Sequence, residues 1–422
     1  MIGLKIPELK KMTLDGKISV FNKPTKVYIP LISQNDTDLT LLVKKGDYVL
    51  KGTIIAKRKG NFRIPIHSSV SGVVVDFEEH LYLNGEKIKS VVIENDFKEK
   101  VEKRITPKKN LTDYTKNEFL EIIKEAGVVG MGGGGFPTYI KYSTDEKIKT
   151  LIVNAVESEP YNTSDYALFL NKTEEMLETI DAIVEINNID EAIIAIPVGS
   201  KLKNNITNFI GTYLKIKLVE VPNKYPMGWE RYLVKHLKNE TYFKLPSECG
   251  IVVNNISTIN AIYEALKYDR PLTERIVTFD GDALNNPTNV LVKIGTPIRD
   301  VIESIGGYKD ITDIRIIASG PMMGKTIKSD ELVVTSNLTS VIITSFTNNE
   351  AEACINCGKC VTYCPVKISP VLVMNNIQNK KKLPHLESQR CIECGLCSYI
   401  CPSKIPVREY VTAAKKKVLE GE

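Results

Sequence analysis

The amino-acid sequence of 422 residues predicts a multidomain protein of mixed α/β and α+β class. Three observations lead to this prediction. Short runs of β-branched residues between glycines and prolines fill the first quarter of the chain. Strand-like and helix-like segments alternate through the middle, as in a parallel sheet covered by helices. Two dense cysteine runs stand near the C-terminus, where the chain is expected to fold around metal.

Composition and charge narrow the range of functions. A hydrophobic content of 43% and a charged content of 25% are usual for globular domains. The net charge of +5 is small, and the lysines are mixed with acids except at Lys380–Lys382, so nucleic-acid binding is not expected. Neither a signal peptide nor an apolar run of membrane-spanning length is present. We therefore expect a cytoplasmic protein, able to dock peripherally on the cytoplasmic face of a membrane.

Residues 1–105 are expected to form a small β domain. The segments around Gly46 and around 66–72 resemble the two halves of a lipoyl-like barrel-sandwich. No modifiable lysine stands at the expected hairpin tip, so this fold is predicted without a prosthetic group. His67 is interpreted as a packed loop residue and not as a ligand. The predicted strands are 27–32, 53–56 and 72–77.

Residues 106–268 are expected to form an α/β domain with a parallel sheet. Its predicted strands are 150–154, 191–197 and 218–221, and its predicted helices are 117–125, 174–186 and 259–266.

Two smaller modules are expected to follow. Residues 269–330 suit a compact α+β module, with a strand from Arg275 and a helix at 298–305. Residues 331–422 contain both cysteine runs, with helices predicted at 370–379 and 406–419.

Both cysteine runs read C-x2-C-x2-C-x3-C-P, the bacterial spacing for paired [4Fe–4S] clusters. In this pattern the fourth cysteine of each run binds the other cluster. Zinc sites usually have separated cysteine pairs, and disulfides do not suit a chain without a secretory signal. We therefore predict an electron carrier, and we expect Cys249, outside both runs, to be a buried small residue. The predicted ligands are Cys354, Cys357, Cys360 and Cys401 for the first cluster, and Cys391, Cys394, Cys397 and Cys364 for the second.

A glycine-rich loop is the second strong signal. It contains five glycines in six residues, followed by Phe136-Pro137-Thr138: Gly130, Gly132, Gly133, Gly134 and Gly135. Such a loop lets the backbone approach a ligand and direct N–H groups at phosphate. The spacing satisfies G-x-G-x-x-G, but a predicted helix precedes the loop where the usual dinucleotide motif needs a strand. A flexible turn is the alternative, although it would need fewer glycines.

Polar residues follow the predicted strand 150–154. The strand ends at Asn154, and Glu157 and Glu159 come soon after it. Carboxylates at the end of a parallel strand are expected to face a ligand crevice, where they suit hydrogen bonds to ribose or carboxamide groups. A solvated turn remains the alternative.

These motifs resemble a known family. The glycine loop, Lys141 and the pattern Asn-x-x-Glu-x-Glu-Pro resemble the flavin- and NADH-binding subunit of respiratory complex I. The whole chain is similar, in the same order, to the RnfC family, whose members are subunits of the Rnf electron transport complex. The matching segments are 65–72, 132–138, 281–287, 294–297, 320–324 and both cysteine runs.

The resemblance implies four modules and their cofactors. The modules are a lipoyl-like domain, a Rossmann-like flavin domain, a β-grasp (SLBB) module and a helical two-cluster ferredoxin domain. It also implies FMN cradled by 132–135 with Lys141 and Asn154 near its phosphate and ring. NADH would be the donor, with Glu157 and Glu159 on the nicotinamide side. NADH delivers two electrons together and a cluster takes one, so a flavin must stand between them, and no catalytic side chain is required.

The chain departs from both families at a few positions. Ser158 replaces the usual RnfC cysteine, Tyr139 a histidine, and Val156 an aspartate of complex I. Met227 and Trp229 alter the RnfC pattern Tyr-Pro-Gln-Gly-Gly-Glu. These changes suggest a paralogue, such as the RnfC-like electron-transfer protein that accompanies clostridial proline reductase.

The electron acceptor stays open at this point. It is either a soluble reductase, such as proline reductase, or the membrane Rnf complex, which exchanges electrons with ferredoxin. Lys380–Lys382 would steer an acidic redox partner, or else form a solvated helix end. The alternative function is a relay between clusters, or a scaffold, that has lost nucleotide binding.

Overall fold

The computed structural model describes residues 3–32, 37–60, 63–242, 244–346 and 350–420. The N-terminal domain is a sandwich of two small sheets, ordered β2-β8-β7-β4 and β3-β5-β6, and all of its strand pairs are antiparallel. Its strands are β2 (Lys26–Pro30), β3 (Leu39–Leu41), β4 (Tyr48–Val49), β5 (Ile54–Arg58), β6 (Pro65–His67), β7 (Gly72–Leu81) and β8 (Lys87–Asn95). The barrel-sandwich prediction is confirmed.

Alternating apolar side chains fill the space between these two sheets. Val27, Ile29, Ile55 and Ile93 are almost fully buried there. Gly72 allows β7 and β8 to approach, because a Cβ at this position would lie 1.9 Å from the Glu94 carbonyl oxygen.

His67 lies at the end of β6, and not in a loop as expected. It is packed against Gly127 of the next domain, and burial lowers its pKa to about 3. A buried, uncharged imidazole of this kind serves the packing between the two domains.

The second domain contains a fully parallel sheet in the order β11-β10-β9-β12. Its elements are a 3-10 helix (Leu111–Asp113), α1 (Lys116–Glu125), α2 (Thr138–Tyr142), β9 (Thr150–Asn154), α3 (Ser164–Asn171), α4 (Thr173–Ile186), β10 (Glu191–Pro197), α5 (Leu202–Ile210), β11 (Ile216–Val221), α6 (Glu230–Lys238), a 3-10 helix (Pro246–Cys249), β12 (Ile251–Asn255) and α7 (Ile256–Tyr268). The chain builds outward from β9 to β11 and then returns to place β12 on the other side of β9. The boundary between β9 and β12 is therefore the switch point, where ligands bind in such sheets.

The third module has a six-stranded sheet in the order β1-β14-β13-β17-β15-β16. Its elements are β1 (Ile18–Phe21), β13 (Glu274–Asp280), β14 (Thr288–Lys293), α8 (Ile298–Ser304), β15 (Ile314–Ala318), β16 (Lys325–Ile327) and β17 (Ser340–Ser345). Two strands come from outside the expected range 269–330. β1 pairs with β14 and β17 pairs with β13, both in parallel. The N-terminal segment therefore reaches this sheet before the first domain begins.

The C-terminal module is made of short helices around the cysteine runs. They are α9 (Lys359–Thr362), α10 (Pro370–Asn375), 3-10 helices at Leu383–Leu386 and Ser388–Arg390, α11 (Leu396–Tyr399) and α12 (Val407–Glu420). α10 ends four residues before the predicted 379. At this end the Leu372 carbonyl accepts from both the N–H and the side chain of Asn376, at 3.1 and 2.8 Å. Asparagine side chains that bond the local backbone are neutral to unfavourable inside helices. Within the described ranges no helix is both long and apolar enough to span a bilayer.

Candidate flavin and cluster sites

The glycine loop lies at the switch point of the parallel sheet, directly after α1. Its two ends are joined by hydrogen bonds from the Gly130 and Gly135 N–H groups to the carbonyls of Phe136 and Gly130, at 2.8 and 3.0 Å. The Met131 N–H donates to Thr258 Oγ1 of α7 at 3.0 Å. The loop is therefore closed by its own backbone hydrogen bonds and anchored to α7, unlike a flexible turn.

The outer face of the loop is open. Gly132, Gly133 and Gly134 are exposed, and a Cβ added at Gly133 or Gly134 would meet no atom of the described chain within 4 Å. Gly133 has φ of 116°, which favours glycine. On the inner side, a Cβ added at Gly132 would lie 3.4 Å from the Asn255 side-chain nitrogen at the end of β12. This open cradle of backbone N–H groups fits a phosphate.

Asn154 and Lys141 are brought to the same edge of the sheet. Asn154 pairs in register with Asn255, and its Nδ2 donates to the Gly228 carbonyl at 2.8 Å. Lys141 Nζ donates to the Val253 carbonyl of β12 at 2.7 Å and lies 3.5 Å from a Glu230 carboxylate oxygen. Asn154 thus lies beside Asn255 and the glycine loop, whereas Lys141 contacts the edge strand β12 and α6.

The Glu157 carboxylate is engaged inside the protein. Its two oxygens accept hydrogen bonds from the N–H groups of Asp165 and Tyr166, at 2.9 and 2.8 Å, so that it caps the N-terminus of α3. Burial raises the pKa of Glu157, and the neighbouring Asp165 raises it further. Glu157 still borders a crevice at the carboxyl ends of β9 and β10.

Glu159 is directed elsewhere, into the turn at 320–324. One oxygen accepts from the N–H groups of Met322 and Met323, at 2.6 and 3.2 Å. Among the described residues, its other oxygen is buried without a hydrogen-bond partner. Burial raises the pKa of Glu159 to about 7. Gly320 makes room for this side chain, since a Cβ there would lie 2.3 Å from Glu159 Cγ.

Sequence reasoning did not single out the polar residues beneath the loop. The Asp165 carboxylate accepts from Asn255 Nδ2 at 2.9 Å and from the Ser257 N–H at 3.0 Å. Arg275 Nη1 donates to the Met131 carbonyl at 3.3 Å, and burial lowers the pKa of this arginine to about 10. Asn255 carried the same signal as Asn154, a polar residue at the end of a buried strand. Asp165 and Arg275 carried no local signal.

Four cysteines from both runs meet in one small cavity. Cys364, from the first run, lies with Cys391, Cys394 and Cys397 of the second run, among apolar walls that include Leu396 and Val411. Burial raises the pKa of the Cys391 thiol and raises that of Cys394 to about 12. Iron binding would displace these protons. The donor set and the dry walls fit a [4Fe–4S] cluster.

The other cysteines of the first run lie nearer the surface. Cys354 and Cys357 are exposed and Cys360 is half-buried, and burial raises the pKa of the Cys360 thiol. Cys401 is half-buried and packs against the helical core of the module. Nowhere in the described ranges do three His, Cys, Asp or Glu side chains converge as ligands of a single ion would. Cysteines around a cubane bind different irons and stand farther apart.

The expectation for Cys249 is wrong in part. This residue ends a 3-10 helix and is half-exposed, not buried. Its thiol lies 3.6 Å from the Thr241 carbonyl oxygen. The short helix places it at the rim of the small core around Val253 and Leu233, where only one side is covered.

Family models match all four modules. The RnfC barrel sandwich hybrid domain matches residues 1–98, the Nuo51 FMN-binding domain 123–264, the SLBB domain 276–326, and the 4Fe–4S dicluster domain 353–405. Together with the open glycine loop and the cysteine cavity, they define an iron–sulfur flavoprotein, an oxidoreductase that transfers electrons. Its cofactors are FMN and two [4Fe–4S] clusters.

Similarity to curated proteins identifies the family. The chain is 33% identical over 380 residues to the C subunit of the proton-translocating ferredoxin:NAD(+) oxidoreductase complex of Clostridium ljungdahlii, covering 88% of this chain and 82% of that protein. It is 30% identical over 379 residues to the C subunit of the Na(+)-translocating ferredoxin:NAD(+) oxidoreductase complex of Acetobacterium woodii, covering 87% and 85%. The chain belongs to the RnfC family.

Solved structures share the fold. An NAD+-reducing [NiFe]-hydrogenase in the air-oxidised state superimposes with a TM-score of 0.52 and 18% identity, over 75% of this chain and 68% of that chain. The same enzyme class in the H2-reduced state gives a TM-score of 0.50 and 16% identity, over 75% and 63%.

Proposed function

We propose that this protein accepts electrons from NADH through FMN and passes them singly through its two clusters to a redox partner. The observation that carries the proposal is the position of the cysteine cavity. The loops that form this cavity pack against the α/β domain, and the same domain carries the open glycine loop at the switch point of its sheet. FMN, when bound, accepts two electrons from a nicotinamide and releases them one at a time.

The residues that would hold FMN are those at the switch point. Gly132–Gly134 would present N–H groups to the phosphate, while the Gly135 N–H holds the loop closed on the Gly130 carbonyl. Lys141, already balanced by Glu230, would add a positive charge nearby. Asn154 holds the Gly228 turn in place at the ring side. Val156 is buried and brings no polar group there, unlike the aspartate of complex I.

The two carboxylates serve this site differently from the first expectation. Because Glu157 caps α3 and Glu159 binds the 320–324 turn, we propose that both shape the nicotinamide side and that neither offers a free carboxylate to NADH. Replacing Glu159 by glutamine would then reduce NADH oxidation only moderately. If Glu159→Gln lost as much NADH oxidation activity as removal of FMN does, the original expectation that Glu159 contacts NADH directly would be supported instead.

The route of the electrons follows from contacts between modules. Tyr225, in the loop after β11, donates its hydroxyl hydrogen to the Cys394 carbonyl at 2.6 Å. Tyr225, Cys394, Met322 and Leu396 share one small buried core. We therefore propose that the cluster on Cys364, Cys391, Cys394 and Cys397 receives electrons from the flavin. The cluster on Cys354, Cys357, Cys360 and Cys401 would pass them on.

The surface around the first cysteine run suits a protein partner. Ile355 is 66% exposed, and Val361 and Leu372 on neighbouring elements are also exposed. Lys359 lies within the first cysteine run, and Lys380–Lys382 follow α10. An apolar patch beside cations favours an acidic redox partner.

The partner itself is proposed from the relatives and the departures. Proteins named as subunits of ferredoxin:NAD(+) oxidoreductase complexes suggest docking on the cytoplasmic face of a membrane complex that exchanges electrons with ferredoxin. The second candidate, a soluble reductase such as proline reductase, rests on the departure of Met227 and Trp229 from the RnfC pattern. The structure gives Trp229 a place near the buried cluster. Its indole N–H lies 3.4 Å from the Tyr225 hydroxyl, on the path to the buried cluster.

Two experiments test these proposals. Adding NADH anaerobically to the FMN-loaded protein should bleach the flavin absorbance, whereas a relay that has lost nucleotide binding would leave it unchanged.

Affinity purification from anaerobic cells should then recover either integral-membrane Rnf proteins or a soluble reductase. Recovery of one class excludes the other as the main partner.

A further inference from the structure

The N-terminal segment, residues 3–17, crosses the carboxyl edge of the parallel sheet. Leu4 and Tyr225 exchange two backbone hydrogen bonds of 2.9 Å. The Glu8 carbonyl accepts from the Tyr161 N–H at 2.8 Å, and Asn171 Nδ2 donates to the Gly16 carbonyl at 2.8 Å. The segment is thus fixed to the loops after β11 and β9 and to the end of α3.

A crevice of about 220 Å³ lies between this segment and the ends of the strands. Lys10 enters it from the N-terminal segment and meets Glu157 and Ser158 of the loop after β9. The loops after β10 and β11, at 197–202 and 223–225, form the opposite wall. Lys10 therefore brings a positive charge from outside the flavin domain to its carboxyl edge.

The Lys10 ammonium donates a hydrogen bond to the main-chain carbonyl of Glu157. Burial lowers the pKa of Lys10, while the carboxylates of Glu157, Glu8 and Glu159 oppose this shift. The Glu157 carboxylate is held at the same time by the N-terminus of α3. The loop after β9 is thus held at Glu157 in two ways. Lys10 binds its main-chain carbonyl, and the N-terminus of α3 binds its carboxylate.

This loop connects directly to the flavin site. The Gly228 N–H donates to Ser158 Oγ at 3.1 Å, and the Gly228 carbonyl accepts from Asn154. A Cβ at Gly228 would lie 2.1 Å from the Val156 carbonyl oxygen, so the two turns are in close contact. A shift of the Glu157 peptide would therefore be transmitted to the Gly228 turn.

We propose that Lys10 is a positioning residue of the flavin site, which acts through Glu157. It holds the Glu157 carbonyl and balances the Glu157 charge, so that the Gly228 turn keeps the shape required for FMN. The inference rests on the proposed binding of FMN at the glycine loop. Lys10 itself is not proposed to touch the flavin.

Other charges surround the Glu157 and Lys10 pair. Glu8 comes from the same segment as Lys10, and Lys201 and Lys224 line the crevice from the loops after β10 and β11. The remaining charges that act on the glutamates of the loop after β9 are Asp165 of α3, Arg275 of β13 and Arg408 of α12. A double variant, Lys10→Met with Glu157→Gln, separates the effect of Lys10 on Glu157 from this background.

The test is the FMN dissociation constant of the cluster-containing, flavin-depleted protein, measured by quenching of flavin fluorescence. Lys10→Met should weaken binding about tenfold or more, as expected for a lost hydrogen bond from a charged donor. Lys10→Arg should restore most of the affinity. Lys11→Met is the matched control, since Lys11 is exposed beside it, and should leave the affinity unchanged.

In a Glu157→Gln background, Lys10→Met should have a clearly smaller effect, because the charge that Lys10 balances is gone and only the hydrogen bond to the main-chain carbonyl of residue 157 is left to lose. The visible circular dichroism of bound FMN should change in Lys10→Met but not in Lys11→Met. Iron content and the thermal midpoint identify a misfolded variant, in which case Lys10→Gln replaces Lys10→Met. Equal affinity in Lys10→Met and Lys11→Met, or an undiminished effect beside Glu157→Gln, would overturn the proposal. A wild type that binds no FMN would instead refute the proposed function.

Discussion

Buried carboxylates lie between the flavin domain and the second cluster, and Glu159 is one of them. Glu159 has one oxygen bound to two backbone N–H groups, and its other oxygen is buried. Desolvation favours its protonated form, and the nearby charges of Lys10 and Arg408 only partly offset this. The residue therefore couples the folding stability to pH.

Glu159→Gln should reveal this coupling. The pKa of Glu159 rises from 4.5 to about 7 on folding, so the folded protein binds the proton more tightly than the unfolded chain. The wild type should therefore lose stability relative to the variant as pH rises through this interval. Thermal midpoints of both proteins at a series of pH values measure the effect, and Glu174→Gln, at an exposed position of α4, is the control. A wild type that gains stability over Glu159→Gln with rising pH would contradict the assignment.

The glycine loop is the element on which cofactor binding depends. It is held by α7 and β13 through Met131, and Asn337 donates to the Gly133 carbonyl at 3.3 Å, whereas a Cβ at Gly133 or Gly134 would meet open space. Anchored ends and a free face allow the N–H groups to be arranged before a ligand arrives. This is the preorganisation that phosphate sites require.

Gly134→Val tests the loop without disturbing the fold. A Cβ at Gly134 meets no described atom within 4 Å, and its φ lies outside the left-handed region, so the protein should fold normally. The side chain would stand where FMN is expected, and retention of FMN should fall at least about tenfold. Gly211→Val, at an equally open position after α5, is the matched control. Normal FMN retention by Gly134→Val would remove the loop from the site.

At the scale of the whole molecule, the modules share parts. β1 and β17 complete the third sheet from distant parts of the chain, and the N-terminal segment spans the flavin domain. Arg408 of α12 donates to the Met322 carbonyl at 2.8 Å, and Tyr225 holds the Cys394 loop. The site of the second cluster is thereby fixed against both the flavin domain and the third module, while Cys354 and Cys357 of the first run face outward.

Cys364→Ser should separate the two clusters. Although Cys364 belongs to the first run, it lies with three cysteines of the second, so the buried cluster should be lost and iron should fall from about eight to about four atoms. The remaining cluster, near exposed Cys354 and Cys357, should be removed rapidly by a chelator. Cys249→Ser should keep all of the iron. A surviving cluster that resists the chelator would assign Cys364 to the first run.

Much of the fold could be predicted where local pattern and structure coincide. β9 and β10 begin and end as predicted, because each is a continuous buried apolar run, bounded by Thr150 and Asn154 in β9 and by Glu191 and Pro197 in β10. The four-module architecture is likewise confirmed. The meeting of Cys364 with the second run follows a spacing rule that already contains the cluster geometry.

The remainder depends on contacts between distant segments. Lys10 reaches Glu157, and Glu159 enters a turn more than a hundred residues away, which no local period can indicate. Asp165 and Arg275 likewise act only because the sheet brings α3 and β13 beneath the loop. Because β1 is so short, its parallel pairing with β14 could not be predicted from the sequence.

Electrons from NADH are expected to pass through FMN to the buried cluster and then to the exposed one. Anaerobic stopped-flow mixing of NADH with the fully loaded protein tests this route most directly, with flavin and cluster absorbance followed together. The flavin should bleach first and the clusters afterwards, and Cys364→Ser should bleach at the flavin but fail to reduce its remaining cluster at the normal rate. Clusters that are reduced equally fast without FMN, or an NADH addition that changes neither chromophore, would contradict the account.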